Sequence, residues 1–240
     1  DVQRDVFVVR LPLARVVAAV QARGVDVLVD GAHAPGQVEV DLDAVGAAYS
    51  TGNCHKWLCT PKGAAYLHVR RDRQDRIHPL TISHGAALDT TEASRFRLEF
   101  DWQGTHDPTA FLAVPAALET VASLVEGGWP AVRERNHQLA LAARDLIGPA
   151  LGAPHAAPAD ALGAMVTFVL PAEPPPTPCG PRGQDPLAHW LWEEHGLCVP
   201  VGPLPGAFKG GARFLRISAQ LYNHLGQYER LAEALRNVPC

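Results

Sequence analysis

The pattern that most limits the fold is a helical stretch followed at once by a short apolar run. Leu13, Val16, Val17 and Val20 recur at helical spacing after Pro12, and Gly24 ends the series. Val25-Asp26-Val27-Leu28-Val29-Asp30 then reads as a strand that finishes on a carboxylate. Helix and strand in alternation predict an α/β sheet with mostly parallel strands. Such strands are buried on both faces, which would set Asp30 over a crevice beyond the strand ends. An extended piece around Val38–Val40 leads to a second strand that carries Tyr49-Ser50-Thr51 toward Lys56. Ala64–Val69 reads as a further buried strand.

Between these last two strands lies Thr51-Gly52-Asn53-Cys54-His55-Lys56-Trp57-Leu58-Cys59-Thr60-Pro61-Lys62-Gly63. Gly and Pro on both sides make it a shaped turn rather than a helix interior. Lys56 at its tip is either a solvated cation or a placed amine, and its neighbours favour the amine. An aldehyde cofactor needs an amine for a Schiff base, an anion facing a ring nitrogen, and donors for a phosphate. Lys56, Asp30, and Thr51 with His55 supply that set.

The ordered motifs Asp30-Gly31-Ala32-His33-Ala34-Pro35-Gly36 and Thr51-Gly52-Asn53-Cys54-His55-Lys56-Trp57 resemble the class V aminotransferase family of pyridoxal-phosphate enzymes, in its isopenicillin-N-epimerase-like branch. The resemblance implies PLP-dependent transferase fold type I, with part of a large domain plus a small α+β C-terminal domain. It implies that Lys56 is the Schiff-base lysine and Asp30 the partner of the pyridinium nitrogen. It places His33 near the cofactor's ring hydroxyl, and Thr51 and His55 near its phosphate. Relatives also carry a long stretch ahead of the position of Asp1, with a phosphate-binding loop and a ring-stacking residue. A chain that begins at Asp1 without methionine is therefore expected to be a fragment.

Further along, Asp107 caps a helix that starts at Pro108 and runs to about Val125. Gly104–Pro108 is either that start signal alone or also an anion site. The resemblance implies that Thr105 reaches the partner's cofactor phosphate in a homodimer with shared active sites. Residues 1–125 are expected to be the C-terminal part of the cofactor-binding large domain, and 126–240 a linking helix and the small domain. Gly127-Gly128-Trp129-Pro130 breaks the chain before that helix. A strand over Arg213–Ser218 contains Arg216. Its guanidinium is either a structural ion pair or a planar fork for a carboxylate. Leu215-Arg216-Ile217-Ser218-Ala219-Gln220-Leu221-Tyr222-Asn223 resembles the family's C-terminal signature, which makes Arg216 the substrate-carboxylate clamp. Arg213 is left for the surface.

The net charge of −4 gives no reason to expect nucleic acid or an anionic membrane as partner. No apolar run is long enough to span a bilayer. The five cysteines, odd in number and without Cys-x-x-Cys, argue against a disulfide framework or zinc site and for a reducing, cytoplasmic setting. Desulfurase relatives in the same superfamily use a loop cysteine shortly before the clamp arginine, and Val199 through Leu215 holds none, so the resemblance disfavours sulfur abstraction through a persulfide. Asp30, His33 and His55 match no metal spacing, and Lys56 would repel a cation. The resemblance implies chemistry at the amino group and Cα of an amino acid or amino-acid-containing small molecule, as epimerase, aminotransferase or lyase. The rival expectation is a catalytically inactive fragment or binding protein that keeps part of the fold.

Overall fold

The computed structural model describes residues 9–91, 93–172, 183–204 and 212–238. The apolar run Val6-Phe7-Val8-Val9 reads as a strand and Phe208–Gly211 as a turn; all of these but Val9, with Cys179 and Cys240, lie outside the described residues. The chain divides into two compact units: Pro12–Leu124, and Val125–Cys240 with Asp1–Leu11. Val9 bridges Leu162, and the Arg10 N–H donates to Ala161 O at 2.7 Å. The segment before Pro12 therefore groups with the second unit, although the division at 125/126 leaves it in the first.

The first unit opens with α1 (Leu13–Gln21), whose Val17 is buried, and β1 (Leu28–Asp30). The sheet is completed by β2 (Tyr49–Asn53) and β3 (Ala65–Val69), in the order β1-β2-β3. β1 and β2 are parallel, with Asp30 opposite Thr51; β2 and β3 are antiparallel. The described sheet is thus mixed, and its parallel pair is the one that carries Asp30. β1 is shorter than expected and is not buried, since Leu28 is 63% exposed. Along β3, exposed Ala65 and Leu67 alternate with half-buried Tyr66 and His68, and Val69 at its end is buried. In this sheet only β2 has a strand on each side among the described residues, and β1 and β3 lie at its edges.

Between the extended piece expected around Val38–Val40 and β2 lies one helical turn, α2 (Leu42–Val45). Asp41 Oδ1 accepts the Ala44 N–H at 2.9 Å, and Gly46 in the left-handed conformation ends the turn. The charged stretch after β3 is a 3₁₀ helix, Arg71–Arg76, tied to the unit by an Arg73–Asp26 pair at 2.8 Å. Arg73 beside Asp26 holds that carboxyl below the usual range. α3 (Arg95–Phe100), α4 (Thr109–Leu112) and α5 (Val114–Ser123) follow. The single helix expected from Pro108 is split at Ala113, because Pro115 removes an N–H donor and crowds the turn before it.

The second unit is led by α6 (Gly128–Leu151). Gly128, Trp129 and Pro130, expected to break the chain, form its first turn. The missing proline N–H costs nothing there, since first-turn donors have no partner within the helix. Val132, Asn136, Ala140, Ala143 and Ile147 form its buried stripe. β4 (Met165–Leu170), β5 (Val201–Pro203) and β6 (Arg213–Ser218) make an antiparallel sheet in the order β4-β6-β5, with α7 (Pro186–His195) and α8 (Leu225–Arg236). Phe168, Leu191, Leu215 and Leu231 anchor its core. Trp190 packs against that core, whereas Trp192 faces outward.

Tyr228 on α8 is buried, and its hydroxyl donates to Ser218 O at 2.6 Å. Burial pushes its pKa from 10.0 up to about 12. The folded state thus favours the protonated phenol, and the stability this confers is full below pH 10 and lost as pH rises toward 12. An alkaline titration followed by circular dichroism should show about 2 kcal/mol lost across that window. Tyr228→Phe should flatten the alkaline limb and cost about 1 kcal/mol at neutral pH.

Candidate active site

β1 delivers Asp30 to its C-terminal end, where the Gly31 N–H donates to Thr51 O at 2.8 Å and extends the parallel ladder by one step. Asp30 Oδ1 accepts the Ala32 N–H at 3.1 Å, which turns the chain toward His33. Gly36 closes this loop. Its φ is +83°, and a Cβ there would stand 2.7 Å from both the carbonyl carbon and the oxygen of Trp57. Gln37, buried, donates through Nε2 to His33 O at 3.0 Å. Gly36→Ala should cost about 1–2 kcal/mol for the left-handed backbone alone, with the clash adding to it. A urea midpoint matching the unaltered chain would refute this account.

β2 delivers the lysine turn. The N–H groups of Cys54 and His55 both donate to Ala64 O, at 3.0 and 3.3 Å, and the Cys59 N–H donates to Lys56 O at 3.3 Å. Cys59 sits at φ 61°, a left-handed position unusual for a residue with a side chain. Gly52 lets β2 pass close to its neighbours: a Cβ would lie 2.5 Å from the Tyr66 ring and 2.8 Å from Pro35. Trp57 is buried and anchors the turn.

The two segments meet at one side chain. Lys56 Nζ lies 3.1 Å from His33 Nε2, and Trp57 Nε1 donates to His33 Nδ1 at 3.4 Å. Asp30 is exposed at the strand end three residues before His33 and in register with Thr51. His55 Nδ1 donates to Ala64 O at 2.8 Å, so an anion at its Nε2 requires a second ring proton. The Thr51 hydroxyl donates to Tyr66 O at 2.9 Å and is directed into the sheet. Thr105 is exposed on the loop before α4, and none of these hydrogen bonds reaches it. Partial burial pushes the Cys54 and Cys59 thiols up, which weakens either as a nucleophile at neutral pH.

Arg216 belongs to the second unit. It is half-buried on β6 opposite Thr167, and its N–H donates to Pro200 O at 3.0 Å. The expectation that Arg213 is the surface arginine is overturned. Arg213 is 8% exposed, and its Nη1 lies 2.7 and 2.8 Å from the two carboxylate oxygens of Asp185. Its Nε donates to Pro171 O at 3.1 Å. Asp185 also accepts the Leu187 N–H at the start of α7, which fixes a carboxylate where the guanidinium needs one. The sequence reading also missed Trp57 as a partner of His33; the only local signal is its place directly after Lys56.

An amine at a turn, an imidazole against it and a carboxylate at the end of the adjacent parallel strand suit the ring end of pyridoxal phosphate. The phosphate end is less furnished, since the Thr51 hydroxyl hydrogen is already donated. Solved structures agree with the fold. A cysteine desulfurase from Thermococcus onnurineus NA1 superposes with a TM-score of 0.72 at 18% identity, over 94% of this chain and 55% of that one. A C-DES mutant with glycine linked to its PLP cofactor gives 0.72 at 20% identity, over 95% and 57%. These likenesses define the class of fold, fold type I, with the lysine turn following the middle strand of the described sheet.

The profile of the aminotransferase class-V family matches residues 6–231, and the chain belongs to that family. Isopenicillin N epimerase from Amycolatopsis lactamdurans is 35% identical over 95% of this chain and 56% of its own length. The chain spans about half the length of the curated relatives it matches.

Proposed function

We propose that the chain carries the cofactor-attaching part of a pyridoxal-phosphate-dependent enzyme that works at the amino group and Cα of an amino-acid substrate. The observation that carries this reading is the Lys56 amine 3.1 Å from the His33 imidazole, on a turn beside the strand end that bears Asp30. When bound, pyridoxal phosphate supplies an electron-accepting ring. Asp30 holds a proton on the ring nitrogen through its negative charge. His33 meets the ring oxygen, and His55 in its doubly protonated form meets the phosphate. Lys56 holds the cofactor and, when displaced by a substrate amine, moves the proton at Cα. Arg216 takes the substrate carboxylate in a two-pronged pair.

The relatives are named for epimerisation and, in the plant proteins, for cysteine desulfhydration, which supports isomerisation or elimination ahead of transamination as the reaction proposed here. The exposed Thr105 suits a homodimer in which it faces the partner's cofactor phosphate. The cysteine pattern supports a cytoplasmic location. The test is to incubate the chain with pyridoxal phosphate, reduce with borohydride and map the modified peptide. Modification at Lys56 supports the reading. An unmodified chain would instead favour the inactive-fragment alternative.

A further inference from the structure

We infer that Trp57 is a positioning residue, acting through His33 to aim a ring N–H at the cofactor-attaching lysine. The argument is one of hydrogen-bond parity. An indole nitrogen is a donor and never an acceptor. Trp57 Nε1 lies 3.4 Å from His33 Nδ1, so Nδ1 must present its lone pair. A neutral imidazole with a bare Nδ1 carries its hydrogen on Nε2. That Nε2 lies 3.1 Å from Lys56 Nζ. The direction of the chain of bonds follows: Trp57 donates to His33, and His33 turns its Nε2 hydrogen toward the lysine nitrogen, a direction that suits the free amine and not the ammonium. A lone pair on that nitrogen is what attack on an aldehyde requires.

The surroundings keep this chain in place. Trp57 is 6% exposed, so its ring cannot turn to water for a partner. Its backbone lies against Gly36, where any Cβ would strike it. Gln37, one residue on, holds the His33 carbonyl at 3.0 Å. The loop that carries His33 and the turn that carries Lys56 and Trp57 are thus locked together on both sides of the imidazole. Burial alone would make Trp57 a packing residue, and phenylalanine would then replace it without effect on His33. The indole N–H adds a tautomer choice that phenylalanine cannot make.

The role in cofactor attachment rests on the function proposed above; the tautomer does not. The test therefore begins with the cofactor-free chain. Nitrogen-15 spectra of the histidine rings should show His33 as a single tautomer, with hydrogen on Nε2. Trp57→Phe should replace that pattern with a mixture of both tautomers. Hydrogen on Nδ1 in the unaltered chain, or an unchanged pattern in Trp57→Phe, would overturn the inference.

The second arm adds pyridoxal phosphate and measures the rate of reducible attachment at neutral pH. Trp57→Phe should slow it about fivefold, the worth of one hydrogen bond. In a His33→Gln background the amide can donate without help from the indole, so adding Trp57→Phe should change nothing further. An equal slowing in both backgrounds would reduce Trp57 to a packing role and overturn the proposal. If Trp57→Phe fails to fold, the tautomer in the unaltered chain still decides the direction of the bonds. If no attachment occurs at all, the function proposed for the site fails while the tautomer result stands.

Discussion

Replacing Lys56 by alanine should all but remove covalent attachment of pyridoxal phosphate to this chain. Any exposed lysine adds reversibly to an aldehyde, but a placed amine gains from being held where the reacting atom sits. That advantage is large, and its loss should lower attachment by ~100-fold or more. Lys56 is held by the turn bonds to Ala64 and by its 3.1 Å contact with His33, whereas Lys62 on the same turn is exposed. Lys62→Ala should therefore leave attachment intact. The measurement is the visible absorbance of the mixture, followed by borohydride reduction and mass mapping. Equal attachment in the unaltered and Lys56→Ala chains would end the enzyme reading.

Asp185→Ala should be the most damaging single change to the second unit. The Arg213–Asp185 pair is largely dry, with side chains 9% and 7% exposed. Removing one partner leaves the other charge short of compensation in a poor solvent for it, at a cost of about 3–5 kcal/mol. Asp185 also accepts the Leu187 N–H, so alanine uncaps α7 as well. Asp185→Asn keeps the cap oxygen and loses only the charge, and should be the milder variant. Urea unfolding followed by circular dichroism ranks the two. A loss below about 1 kcal/mol for alanine would mean that the pair contributes no more than a surface ion pair.

The difference between Arg213 and Arg216 shows where sequence reasoning stops. Both sit on one strand three residues apart, in a pattern that marks β6 correctly. Which one is buried depends on Asp185, 28 positions away from Arg213, and no local pattern announces that meeting. Thr51 is similar. Its place next to the lysine turn was legible, but its hydroxyl is claimed by Tyr66 O across the sheet.

What the amino-acid order determined by itself was set by short-range chemistry. Apolar patterning marked α1, β2 and β6, and the ordered motifs Asp30–Gly36 and Thr51–Trp57 carried the resemblance to the family. Those signals act over one turn or one strand, so they survive without knowledge of the fold. Tertiary structure alone decided the exposure of β1, the burial of Arg213 and the Trp57–His33–Lys56 chain of hydrogen bonds. Each depends on atoms brought together from distant positions, and burial and hydrogen-bond direction are properties of that meeting rather than of any residue in it.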